Sequence, residues 1–201
     1  MPKPASEQPI SKVRRADRAV TDDGWIRDFL QRAPMGAFAT ISGDQPFINS
    51  NIFVFDAAAH AIYFHTAKTG RTRSNVQKHS QVCFSVSEMG RLLPAEEALH
   101  FSVEYRGVAV FGNLQIIDDE NEAANALQLL LDKYFPHLQP GKDYRPVVAE
   151  ELKRTTVYRL EIREWSGKQK QVEADFPGAF RYESLPEMIA EPATNGVNHD
   201  V

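Results

Sequence analysis

Residues 61–80 read AIYFHTAKTGRTRSNVQKHS, and three kinds of chain follow one another within them. Ile62, Tyr63 and Phe64 are β-branched or aromatic and predict a strand. Residues 65–71, HTAKTGR, form a polar turn with three potential cations, two hydroxyls and a glycine. Thr72 to His79 has the pattern of a short basic helix. A strand running through such a turn into a helix start can hold phosphate. The first helical N–H groups lack intrahelical partners, the dipole favours an anion, and Arg71 can grip two oxygens at once. The same stretch also fits a solvated basic connection. It is not a Walker loop, since G-x-x-x-x-G-K-[ST] is absent.

On the N-terminal side, Asp56 to His60 predicts a turn and Phe47 to Phe55, FINSNIFVF, a strand. That strand carries a polar triplet, Asn49, Ser50 and Asn51, in an otherwise apolar run. An edge strand with its polar atoms in water accounts for the triplet, and so does a planar polar ligand lying against it. A flavin has the matching chemistry: hydrogen-bonding groups along one ring edge and a phosphate some distance away. The clusters at 49–51 and 65–72 sit on strands joined by a short turn, which makes them neighbours across a hairpin. Further upstream, Ser42-Gly43-Asp44-Gln45 is a hairpin-type turn after a short strand, Ala37 to Ile41. Thr21, Asp22 and Asp23 open a helix whose apolar stripe is Trp25, Ile26, Phe29 and Leu30, and Pro34-Met35-Gly36 stops it. Arg14, Arg15 and Arg18 precede it, as a solvated face or as an arm able to reach phosphate.

On the C-terminal side, Gln81 to Ser87 predicts a fourth strand and Met89 to Leu99 a loop or short helical excursion. His100 to Ile117 is long enough for one bent strand or for two, broken near Gly107 or Gly112. Asp119 and Glu122 have capping-box spacing at the start of a helix. Ala123, Ala124, Leu127, Leu130, Leu131 and Tyr134 give that helix a core-facing stripe. A shorter helix follows over Pro146 to Lys153, and Thr155 to Trp165 alternates as a last strand. About six strands in hairpin order, with single helices inserted, favour an antiparallel sheet closing into a small barrel over a βαβ fold. Residues 1–12 read as a flexible arm, 13–176 as the single domain and 177–201 as a polar tail.

Composition narrows the function. A chain of 201 residues with 42% hydrophobic and 10% aromatic residues fits one soluble globular domain. A net charge of −4 and a pI near 5.9 give no reason to expect nucleic acid. No apolar run reaches the ~18 residues of a membrane span, and residues 1–15 lack the apolar core of a signal peptide. The lone Cys83, in QVCFSV, reads as an inert core thiol, and a cytoplasmic home is expected. His60, His79, His100, His137 and His199 show no metal-ligand spacing, so no metal is assigned. Ser/His/Asp catalysis has no credible arrangement either.

The segments VRRADRAVTDDGWIRDFL, GAFATISGDQPFINSNIFVF, IYFHTAKTGRTRSNVQKHSQVCFSV, VEYRGVAVFG and LEIREWSGK occur in this order between about Val13 and Lys168. In that order the chain resembles the pyridoxamine 5'-phosphate oxidase-like flavin-binding split-barrel superfamily, and within it the nitroimidazole-resistance (Nim) type. The resemblance implies a mainly β fold, a six-stranded antiparallel Greek-key barrel, and a homodimer with two FMN sites at the subunit interface. It places the strand Ile48, Asn49, Ser50, Asn51 and Ile52 against the flavin ring. His65 and Thr66 fall beside the ring and ribityl chain, and Arg71 and Thr72 at the phosphate. Many relatives have lysine where Thr72 stands, so that either Lys68 or Arg73 would supply the missing cation or FMN would be held more weakly. Tyr105, Arg106, Trp165 and Lys168 would reach the flavin from the partner subunit. His65 is the catalytic candidate, holding a substrate or delivering a proton near neutral pH. The implied activity is an FMN-dependent oxidoreductase for a small-molecule acceptor or donor. A non-catalytic flavin carrier or sensor, or a relative using haem or a deazaflavin, is the alternative. True pyridoxamine-phosphate oxidation is disfavoured, because no arginine- and histidine-rich C-terminal segment is visible in LEIREWSGKQKQVEADFPGAFRYE.

Overall fold

Nine strands and four α-helices make up the chain in a computed structural model that describes residues 7–185. In chain order they are β1 (Ala19–Val20), α1 (Asp23–Arg32), β2 (Gly36–Ser42), β3 (Gln45–Asn51), β4 (Val54–Asp56), β5 (Ala61–Ala67) and α2 (Arg71–Val76). There follow β6 (Gln81–Leu93), β7 (Ser102–Ile116), α3 (Glu120–Tyr134), α4 (Ala149–Leu152), β8 (Thr155–Lys170) and β9 (Phe180–Arg181). Seven strands lie in the order β3-β2-β6-β7-β8-β5-β4, with β1 on β8 and β9 on β6. The mainly antiparallel β class expected from the sequence holds, with nine strands where six were counted. Residues 1–6 of the expected arm and 186–201 of the expected tail lie outside the described residues. No described helix is long and apolar enough to cross a membrane.

The chain divides into two compact units. One holds the residues up to Ser87 with Gly107–Lys168, and the other Glu88–Arg106 with the residues from Gln169 onward. The first unit contains the aromatic core. Phe38 stacks on Phe64 at 3.8 Å, Phe64 on Tyr158 at 4.7 Å, and Phe84 tilts against Phe38 at 4.5 Å. From α1, Ile26, Phe29 and Leu30 join this core, as their helical spacing requires. Asp22 caps that helix, its carboxylate accepting from the Gly24 N–H at 2.8 Å. A second cluster packs Ala123, Ala126 and Leu130 of α3 against Val54, Ala61, Tyr63 and Val157. Asp119 caps α3 by accepting from the Glu122 N–H at 2.7 Å.

Three expectations change, and one left open is decided. The strand expected over Phe47 to Phe55 is two, because the backbone of Phe53 is claimed by side chains of α3. Its N–H donates to the Tyr134 hydroxyl at 3.0 Å, and its carbonyl accepts from Lys133 Nζ at 2.9 Å. Lys133 also reaches the Ala33 carbonyl at 2.8 Å, so it ties the end of α1 to the β3–β4 break. Burial there pushes its pKa down to about 8. The loop expected over Met89 to Leu99 is strand as far as Leu93, followed by a single 3-10 turn, Ala98–His100. Of the two alternatives left open for 100–117, the structure has one unbroken strand, Ser102–Ile116. At Gly112 a Cβ would sit 2.0 Å from the Glu161 carbonyl oxygen, so the glycine permits close approach of β7 and β8 and does not break the strand. The last strand runs on from Trp165 to Lys170.

Candidate functional site

α2 is held to β2 and β3 by its own polar residues. Thr72 and Asn75 are 5% and 3% exposed, and in so short a helix such burial needs partners. Asn75 Nδ2 donates to Thr40 Oγ1 at 2.9 Å, and Asn49 Nδ2 donates to Thr72 Oγ1 at 3.2 Å. Arg71, on the outward side, is exposed and donates to Ser42 Oγ at 3.1 Å. The 49–51 and 65–72 clusters therefore do meet, but not across a hairpin. β3 pairs with β2, and β5 pairs with β4 and β8, so the meeting is made by α2.

Alternation along β3 sorts its residues. Asn49 and Asn51 are half-buried, whereas Ile48, at 65%, and Ser50 are exposed on the opposite face. A flat ligand lying on one face therefore meets either Asn49 and Asn51 or Ile48 and Ser50, not all five side chains from Ile48 to Ile52. Ile52 lies in the break after β3 and is 38% exposed.

Four buried side-chain atoms, Asn51 Nδ2, His60 Nδ1, His65 Nδ1 and Arg159 Nε, make no hydrogen bond among the described residues, and Asn51 and His65 are the two that fall among the candidate site residues. Burial holds the His65 imidazole below its ordinary pKa of 6.5, so the ring is neutral at neutral pH. Its neighbour Thr66 is satisfied: the hydroxyl donates to the Ala67 carbonyl at 2.9 Å and accepts from Tyr158 at 3.0 Å. Buried donors and acceptors left open are costly unless something fills them. A planar ligand with hydrogen-bonding groups along one edge fits such atoms.

The remaining candidates lie elsewhere. Lys68 Nζ donates to the Leu152 carbonyl at 3.4 Å, and Arg73 donates to Thr156 Oγ1 at 2.9 Å. Both line a small cavity of about 150 Å³ with Asp118, Lys153 and Thr155, so neither stands beside Arg71 as a substitute cation. Trp165 Nε1 donates to Asp23 at 2.9 Å, and the ring meets His60 edge-on at 4.7 Å. Arg27 covers that ring at 5.2 Å. Lys168 pairs with Ala19 in the β1–β8 ladder. Tyr105 and Arg106 belong to the second unit. Sequence reasoning did not single out Ser42, Asn75 or Tyr158. Ser42 had one signal, its place at the hairpin corner. Tyr158 had another, the alternation Thr156, Tyr158, Leu160 along β8.

The chain belongs to the pyridoxamine 5'-phosphate oxidase family, whose model matches residues 22–169. Among solved structures it is similar to the flavocytochrome Anf3 from Azotobacter vinelandii. The identity is 26% and the TM-score 0.72, covering 95% of this chain and 92% of that one. It is also similar in fold to a FAD- and haem-binding protein from Mycobacterium smegmatis (20%, TM-score 0.69, 85% and 80% covered). A third likeness in fold is to a candidate 5-nitroimidazole antibiotic resistance protein from Bacteroides thetaiotaomicron (16%, TM-score 0.62, 75% and 86% covered). No curated protein matches significantly. The superfamily and the split-barrel fold class inferred from the sequence both hold.

Proposed function

We propose that the chain binds a flavin, FMN, and acts as an oxidoreductase on a small-molecule electron acceptor or donor, as a homodimer in the cytoplasm. The observation that carries the reading is the pair of buried, unpartnered atoms, Asn51 Nδ2 and His65 Nδ1. Family membership and the similarity to a structure named as a flavocytochrome support it. The single cysteine, whose thiol burial pushes up, suits a reducing compartment.

A bound flavin supplies electron transfer in one- or two-electron steps. The chain's residues hold and tune it. Asn51 donates its amide N–H to an acceptor on the ring edge. Arg71 stands exposed at the rim, held by a single neutral hydroxyl, and retains donors for a phosphate oxygen. Neutral His65 can accept or hand on a proton at Nδ1. Phe64, the neighbour of His65 on β5, stacks with Phe38 and Tyr158 and anchors that part of the strand in the dry core.

A flavin-plus-haem protein is the second reading, favoured by the printed names of two similar structures and by the open nitrogen of a neutral imidazole at His65. The test is the visible spectrum of the purified protein after incubation with FMN, FAD or haemin and desalting. About one retained FMN per chain supports the proposal, and a Soret band turns it toward the second reading. No retained chromophore overturns both. Turnover with a reductant and a panel of acceptors then separates enzyme from carrier, and a sedimentation mass of one chain with FMN bound would rule out a shared dimer site.

A further inference from the structure

We propose that the second unit carries an anion-binding site of its own, built to take a small molecule with two negative charges, a dicarboxylate or a phosphate monoester. The unit encloses a polar cavity of about 350 Å³, within the size range of small-molecule pockets. The cavity is lined by Arg91, Glu104, Arg106, Lys170, Arg181 and Glu88, among others.

Arg91 and Glu104 are spent on each other. Glu104 accepts from Arg91 Nε and Nη2 at 2.9 and 2.8 Å, from the Arg91 N–H at 3.2 Å and from the Val172 N–H at 2.9 Å. These donors hold its carboxyl down at about 2. Arg91 uses its remaining donors on the carbonyls of Val172, Glu173 and Ala174. Gly90 is part of this seating, since a Cβ there would meet Glu104 Cβ at 2.7 Å and Oε2 at 3.2 Å. The Arg91–Glu104 pair is a neutral, rigid floor.

What remains is unbalanced. The other charged lining groups are the cations Arg106, Lys170 and Arg181 and the carboxylate Glu88, and with Asp175 close enough to act on Arg91 the surroundings keep an excess of positive charge in a chain whose net charge is −4. Lys170 donates to Ser102 Oγ. Arg106 and Arg181 make no hydrogen bond or ion pair among the described residues. Arg181 also stands directly opposite Arg91 in the β6–β9 ladder. Two arginines in one cross-strand pair repel, and Glu104 relieves only one of them. A bound oxyanion relieves the other and gives both free guanidinium forks a bidentate partner. Arg71, Asn51 and His65 belong to the first unit and Arg181 to the second, whereas Arg106 is also a candidate to reach the flavin of the partner subunit, so the test rests on Arg181.

Calorimetric titration of the full chain with inorganic phosphate and with succinate, each against sodium chloride at matched ionic strength, tests it. Saturable binding of phosphate, succinate or both at one site per chain is expected. The variant Arg181→Gln should raise Kd by about tenfold or more, the equivalent of losing one charged hydrogen-bonding partner. Phosphate alone would assign phosphate esters, and succinate alone dicarboxylates. Arg71→Gln should leave this binding intact while weakening FMN, which separates failure of this site from failure of the flavin site. Undiminished anion binding in Arg181→Gln, no binding beyond the chloride control, or parallel loss of FMN with the anion in Arg181→Gln would each overturn it.

Discussion

Asn75 and Asn51 are the same side chain turned inward in two places, and their surroundings differ in one respect. Asn75, on α2, meets Thr40 Oγ1 at 2.9 Å, and that hydroxyl passes on to the Phe47 carbonyl at 3.4 Å. Asn51, at the end of β3, has a buried Nδ2 and nothing to donate to. One amide is complete within the fold, and the other is complete only with something added. His65 and Thr66 repeat the contrast on β5, where Thr66 is satisfied by Ala67 and Tyr158 and His65 Nδ1 is open. Satisfied polar groups fix the scaffold, while open ones mark the surface prepared for a ligand.

The contrast can be broken at its rim, at its satisfied half and at its open half. Arg71→Gln should have the largest effect, weakening FMN by about 10- to 100-fold, the equivalent of ~1.5–3 kcal/mol for a charged hydrogen bond. Fluorescence titration of FMN checks it, and apo stability should change little because Arg71 is exposed. Asn75→Ala should lower apo stability by about 1–3 kcal/mol in urea unfolding, since it leaves the buried Thr40 hydroxyl without its donor. Asn51→Ala should do the reverse: apo stability within about 0.5 kcal/mol of wild type, with FMN affinity reduced several-fold, as for a neutral hydrogen bond of ~1 kcal/mol. Equal destabilisation by the two alanine variants would erase the contrast.

The smallest expected effect is one of pH. The folded pKa of His65 lies below its unfolded value near 6.5. In the window between the two values the unfolded chain binds the proton and the folded chain does not, so apo stability falls as pH drops through it. The slope should flatten in His65→Gln. The Arg91–Glu104 pair acts in a lower window. The Glu104 carboxyl is held near 2, so its contribution is full above about 4.5 and is lost as pH falls toward 2. Unfolding followed from pH 7 to pH 3 therefore resolves two separate declines.

How much of this was legible beforehand depended on range along the chain. α1, its Asp22 cap and the α3 capping residue are written in local patterns of period 3.6, and the structure returns them closely, while the strand expected over 61–65 runs on to Ala67 into what the sequence presents as a turn. The break at Ile52–Phe53 was not legible, because it is made by Lys133 and Tyr134, some eighty residues away. The long β6 was read as ending early because residues 88–93 lack alternation. Their strand is stabilised by Glu104 and β9, partners that no local window contains. For the site, residue types pointed to polar chemistry at 49–51 and 65–72. Which of them were complete was a matter of tertiary placement. Asn49 turned out to serve Thr72, and Arg73 to serve Thr156, whereas Asn51 Nδ2 and His65 Nδ1 find no partner among the described residues.

The most direct measurement is of those two side chains during FMN addition, by 15N NMR of the asparagine amides and histidine imidazoles in the full chain. The Asn51 amide and the His65 Nδ1 resonances should shift together and saturate at about one FMN per chain, while the Asn75 amide stays where it is. FMN that binds without moving Asn51 and His65, or that moves Asn75 equally, would contradict the assignment of the open atoms to the flavin.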